Sequence, residues 1–209
     1  MSNDAALAID ALELDAIKES FNIGMGRAAA LLAEILEHRV LLQVPEVDQI
    51  TDGQLGDRFR QPGDISLVRQ PFSGQVVSGE VVALMRRDAY KALMQTYGYG
   101  PEERSELALQ QEVLLEITAT LAAATLSGVA EQLGGEIDFA APALVCVEQW
   151  TSLHEALFSG RDLPWRQAVL VEIGFAIEAI DFSASLYVFI PESSLPALKR
   201  AIGAMLEGL

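Results

Sequence analysis

The chain repeats itself. Residues 14–36 read LDAIKESFNIGMGRAAALLAEIL, and 97 positions further on residues 111–133 read QEVLLEITATLAAATLSGVAEQL. That shift sets Glu19 on Glu116, Ala30 on Ser127, Ala33 on Ala130 and Pro45 on Pro142. A repeat at fixed offset means one supersecondary unit used twice, so the fold must bury two equivalent faces at once. Both segments read as long helices. In the first, Ile17, Phe21, Gly24, Ala28, Leu31 and Ile35 keep the rhythm of one buried face. Leu114, Ile117, Leu121 and Ala124 give the second a weaker stripe.

The segments after the two helices also match. A short apolar run lies beside a proline, residues 40–44 before Pro45 and residues 143–147 after Pro142. A polar stretch then has room for a short helix, at residues 48–55 and 149–158. Turn residues come next, Gln61-Pro62-Gly63-Asp64 in one half and residues 160–164 in the other. Two β-branched and aromatic runs then predict a hairpin. These are residues 65–72 with 75–85 around Ser73-Gly74, and residues 167–177 with 182–190 around residues 179–181. Helices over residues 88–97 and 193–207 close the halves, and Tyr99-Gly100-Pro101 is the seam. The expected architecture is α+β in two layers, a single domain over residues 1–209 with pseudo-repeats of about 11–98 and 102–208. Each half contributes three strands to one six-stranded sheet, with long helices on one face and a pseudo-twofold relation between halves. Either half alone has too thin a core to stand as a separate domain.

Charge and composition narrow the function. Fourteen Lys and Arg against thirty Asp and Glu leave a formal charge of −16 in 209 residues. Such a field repels phosphate backbones and anionic lipid, which argues against nucleic acid and membrane partners and for a basic partner surface or one carrying a metal ion. With Cys146 as the one cysteine and only His38 and His154, neither an internal disulfide nor a zinc cluster is expected. The first ten residues lack the basic and apolar regions of a signal peptide, and no uncharged apolar run reaches 18 residues. The reading is a soluble, cytoplasmic protein.

The first helix carries the candidate chemistry. With Asp15 at the origin, Glu19, Asn22 and Gly26 fall within about 40° of it, opposite the apolar stripe. Spacing alone is equally that of a solvated helix face. Two features stand against that: an asparagine in mid-helix has no local role, and Gly24 and Gly26 weaken the helix. Those glycines leave the surface beside Asn22 bare, either for close packing of the helix on the sheet or for the approach of another backbone.

Asp15-x3-Glu19-x2-Asn22-x22-Pro45, set in ESFNIGMGRAAALLAEIL, resembles the signature of the CheC/CheX/FliY family of response-regulator phosphatases. The duplicated layout resembles CheC in particular. The resemblance implies hydrolysis of the aspartyl phosphate of a CheY-like receiver domain. Asn22 would orient the attacking water, Glu19 would pair with a receiver lysine, and Asp15 and Gly26 would contact the partner. It implies no cofactor or metal of the chain's own, Mg²⁺ being supplied by the receiver. The second half departs from the signature. Glu112, Glu116 and Pro142 are present, but Ala119 stands where the asparagine belongs, so the second site is read as catalytically dead. The face of Ala119, Ala122 and Ala123 is then packing or a retained docking surface.

Other residues carry less. Ser20, Ser73 and Ser78 lack a GxSxG elbow. Gly24-Met25-Gly26 lies inside a helix, not after a strand, and is no dinucleotide fingerprint. His38 and His154 read as surface residues, Cys146 as core, and Trp150 and Trp165 as half-buried anchors. Leu195, Leu198, Ile202 and Leu206 line the last helix for packing on the sheet, or for a CheD-type deamidase that the resemblance implies as a partner. Beside the phosphatase stands an adaptor of the same fold that binds receivers or a CheD-like protein without catalysis. A FliN/FliM-like motor component ranks below both, since the extra C-terminal switch domain of such proteins has no counterpart here.

Overall fold

The computed structural model describes residues 8–51, 54, 65–86, 89–145 and 166–208. Helix α1, Ala11–Leu36, starts at a capping box: Asp10 accepts from the Glu13 backbone N–H and the Glu13 carboxylate accepts from Asp10 N–H. It is followed by β1 (Leu41–Leu42), β2 (Glu46–Thr51), the hairpin β3 (Ile65–Gly74) and β4 (Gly79–Arg86), and α2 (Ala89–Thr96). The second half runs α3 (Leu107–Gln132), β5 (Ile137–Phe139), β6 (Ala143–Val145), the hairpin β7 (Gln167–Ile177) and β8 (Phe182–Pro191), and α4 (Leu195–Glu207).

All eight strands join one antiparallel sheet in six lanes. The hairpins meet at its centre through β4 and β8. The outer lanes are crossed between halves: β1 and β2 together pair with β7, and β5 and β6 together pair with β3. The registers correspond. Asp48 pairs with Leu170 as Val145 pairs with Leu67, and Leu42 pairs with Phe175 as Phe139 pairs with Phe72. Each outer lane breaks at a proline, Pro45 between β1 and β2 and Pro142 between β5 and β6. Proline has no N–H for the ladder and is tolerated at such an edge interruption.

The layers come from alternation along the strands. On β4, Val81, Ala83 and Met85 face the helices, while Val82 joins a smaller cluster on the other face with Leu67, Leu170 and Phe189. Leu93 and Met94 of α2 and Leu195, Leu198 and Ile202 of α4 enter the helix-side core with α1 and α3. The apolar positions of α4 are therefore spent on packing and are not a free groove for a CheD-type partner. Helix α3 is long and apolar enough in composition to cross a membrane, with mean hydropathy 1.7, yet 61% of that window is buried in the fold. Its apolar face is explained by α1 and the sheet.

The structure corrects three expectations. The buried face of α1 uses Leu32 and Leu36, whereas Leu31 and Ile35 are 39% and 40% exposed. Ile35 lies five whole turns after Ile17 and at the same helical angle, so the stripe itself keeps its direction; the core contacts shift round the helix toward Leu32 and Leu36 at its C-terminal end. Glu46–Thr51 is a strand, so residues 48–51 are not the start of the helix expected over 48–55: six residue pairs on the free edge of β7 recruit them despite their polar composition, while Gln54 is helical and residues 52, 53 and 55 lie outside the described residues. The first hairpin turns after Gly74, not at Ser73-Gly74, with the Ser78 hydroxyl accepting from Gly74 N–H. The expected six-stranded sheet is present as six lanes, three from each half, with each half lending its outer lane to the other. Cys146, Trp150, His154, Trp165 and the expected helix at residues 149–158 lie outside the described residues.

Candidate functional site

Asp15, Glu19 and Asn22 are exposed on the outward face of α1, and Gly26 is half-buried on the same face. Three turns of regular helix hold them in a line about 16 Å long. The helix is fixed from behind. Ile17, Phe21, Met25 and Ala28 are buried against the core, and Gly24 lies on α3. Helix α4 braces the near flank: Lys199 Nζ lies 3.1 Å from Glu13 and donates to the Ala8 carbonyl, and the buried Ser20 hydroxyl lies 3.9 Å from Met205 Sδ. Arg27 turns toward α3 and pairs with Glu131.

Among the described residues, the side chains of Asp15, Glu19 and Asn22 make no hydrogen bond or ion pair. A carboxylate and an amide one turn apart thus stand with all their hydrogen-bonding capacity free. Asn22 offers both a donor and an acceptor, and Glu19 two acceptor oxygens for a cation. The two glycines separate cleanly. A Cβ on Gly24 would overlap the backbone carbonyl of Thr125, while a Cβ on Gly26 would meet nothing within 4 Å among the described residues. Close packing explains the first, against a helix and not against the sheet, and leaves the second without an internal reason.

The counterpart on α3 differs. Glu112 and Glu116 are exposed, Ala122 is fully buried, and Ala119 and Ala123 are half-buried. Burial, with the Glu116 carboxylate and Tyr99 adding to it, raises the Tyr97 phenol above its ordinary value. This face has carboxylates and an aromatic neighbour but no amide. Elsewhere, Ser73 is exposed, Ser78 and His38 are half-buried, and Ser20 is spent on the Ala16 carbonyl. A depression of about 750 Å³ is lined by Ser73, Glu131, Glu136 and Asp138 and by none of the α1 candidates. Sequence reasoning missed Ile23, an exposed apolar side chain four residues after Glu19. The i+4 spacing from Glu19 was the available signal.

No protein-family model matches the chain. Solved structures do. FliY from Thermotoga maritima matches with a TM-score of 0.69 at 17% identity, over 95% of this chain and 99% of that one. FliM from H. pylori, in a complex with SpeE, matches at 0.64 and 15% identity, over 93% and 98%. A chemotactic CheC-like protein from Shewanella oneidensis matches at 0.54 and 14% identity, over 81% and 95%.

The chain has the fold of these FliY, FliM and chemotactic CheC-like proteins. At such identities the likeness is one of fold. The FliM-like reading, placed below the other two from sequence, shares this architecture over 93% of the chain, so the fold by itself does not decide among the three.

Proposed function

We propose that the chain hydrolyses the aspartyl phosphate of a CheY-like response-regulator receiver. The observation that carries this reading is the pair Glu19 and Asn22, exposed on one face of one long helix with no partner among the described residues. Water attacks phosphorus, the bond from phosphorus to the aspartyl oxygen breaks, and inorganic phosphate leaves a free carboxylate, the water's proton passing to the phosphate. Asn22 holds that water in line through its amide, and Glu19 pairs with the receiver's lysine and sets the register. Positioning supplies most of the rate in phosphoryl transfer, so a neutral amide suffices. The receiver brings the Mg²⁺. Asp15 and Gly26 contact the partner, and a cytoplasmic site of action goes with a receiver substrate. The second half, with Ala119 beside Glu116, has no group to hold a water, and the protein works with one site.

The second reading is an adaptor that binds a receiver or a CheD-like protein without chemistry. It is favoured by the FliM match, a protein of this fold described in a complex with another protein. One experiment separates the two: the protein is added to a panel of phosphorylated receivers, and phosphate loss and complex formation are followed together. Accelerated loss from at least one receiver supports the phosphatase. Binding with unaltered phosphate lifetime supports the adaptor.

A further inference from the structure

Glycine is among the poorest helix formers, so a glycine inside a 26-residue helix asks for a reason. Gly24 has one inside the molecule, and Gly26 does not. Gly26 lies one turn beyond Asn22 on the same outward face. Exposed Ile23 stands beside it and exposed Ala30 lies one turn further on. Between Asn22 and Ala30 the described surface of α1 is therefore low, with exposed Ile23 beside it and the carboxylates of Glu34 and Glu37 beyond. Its charge is anionic on the Asn22 side, where Asp15 and Glu19 have no cation partner among the described residues. Arg27 is turned away onto Glu131, and Lys18 is exposed on the flank.

We infer that the receiver's main chain rests on α1 at Gly26, and that the missing side chain sets how closely Asn22 approaches the phosphoryl group. This deepens the proposed phosphatase reading and rests on it. Asparagine is short, so its amide reaches a phosphoryl group held in a partner's pocket only if the helix comes nearly into backbone contact. A Cβ at Gly26 would stand in that contact and hold the two surfaces apart by about 1 Å, enough to misplace the water by a catalytically significant amount. The occupant is a receiver, whose lysine complements Glu19 and whose backbone beside it needs no side-chain pocket on α1.

The test is Gly26→Ala and Gly26→Gln against wild type, with a receiver that the wild type dephosphorylates. Melting temperature, kcat/KM and affinity for the receiver carrying beryllium trifluoride are measured. Gly26→Ala is expected to melt about 2 °C higher, as an unhindered glycine replaced in a helix should. Its kcat/KM is expected to fall about tenfold or more, and Gly26→Gln to lose more together with affinity for the beryllium complex. Unchanged kcat/KM in both variants overturns the inference and leaves the phosphatase reading standing. A lower melting temperature for Gly26→Ala also overturns it, since the glycine then has an internal role. A wild type inert toward every receiver overturns the phosphatase reading and this inference with it.

Discussion

Gly128 faces Gly24 where α3 crosses α1, so closely that a Cβ on Gly128 would stand 2.9 Å from the Gly24 Cα. The same crossing puts the Thr125 carbonyl where a Gly24 side chain would be, and lays the Arg27 stem over Gly128. The two long helices meet backbone to backbone. This contact sets how α1 lies on the fold and so which of its faces looks outward. Gly24→Ala is expected to destabilise the protein by about 2–3 kcal/mol, because backbone and not a flexible side chain must move. For a chain of this length that is a fall in melting temperature of about 6 °C. Thermal melts of Gly24→Ala and Gly128→Ala check it, and a change within 1 °C for both would mean the crossing has slack, roughly 0.5 kcal/mol or less.

The catalytic assignment predicts an asymmetry between halves. Asn22→Ala removes an exposed side chain without partners, so stability should change by less than about 0.5 kcal/mol while receiver dephosphorylation falls about a hundredfold. Glu19→Lys should raise KM and lower kcat together, since it reverses the pair with the receiver lysine. Glu116→Ala should leave the time course unaltered, because Ala119 provides no amide beside it. Activity retained in Asn22→Ala, or lost in Glu116→Ala, moves the centre away from α1.

Two ion pairs of similar geometry should differ in worth. Arg69 and Glu80 pair across β3 and β4 with side chains only 11% and 21% exposed, whereas Arg27 and Glu131 are 47% and 68% exposed. Arg69 Nε is buried with no hydrogen-bond partner, so this arginine depends on Glu80. Glu80→Ala is expected to cost about 3 kcal/mol by leaving a largely buried cation unpaired, and Glu131→Ala less than about 1 kcal/mol. Denaturant titrations of the two variants give the comparison, and equal losses would contradict it.

Tyr97 predicts an alkaline limb to the stability curve. Its phenol is held above 10.0 by burial first, then by the Glu116 carboxylate and Tyr99. The neutral form is thus favoured by folding. The stability tied to it is complete below the ordinary value and is lost as pH rises through the raised one. Between about pH 9 and pH 11.5, the wild type should lose stability more steeply than Tyr97→Phe. Glu116→Gln should bring the phenol's ultraviolet titration back toward the ordinary midpoint. A Tyr97→Phe curve that tracks the wild type throughout would refute the link.

The local pattern carried far in this chain. The 97-residue offset, the two long helices, the second hairpin and the outward face of Asp15, Glu19 and Asn22 all come from short-range rules. The helical period decides which residues share a face, and β-branched runs of ten or so residues have few alternatives to a strand. Those rules fail where the deciding partner is remote. Glu46–Thr51 has too little apolar content to announce a strand, and becomes one because the edge of β7, more than a hundred residues away, offers unpaired backbone groups. Gly24 and Gly26 look alike in the string, and only the position of the Thr125 carbonyl tells them apart. The sequence by itself determined the repeat, the two long helices and the shared outward face of Asp15, Glu19 and Asn22. Only the tertiary structure decided that the halves exchange their outer lanes and that α3 lies against Gly24, because those choices depend on backbone groups whose hydrogen bonds and contacts are made by residues distant in the chain.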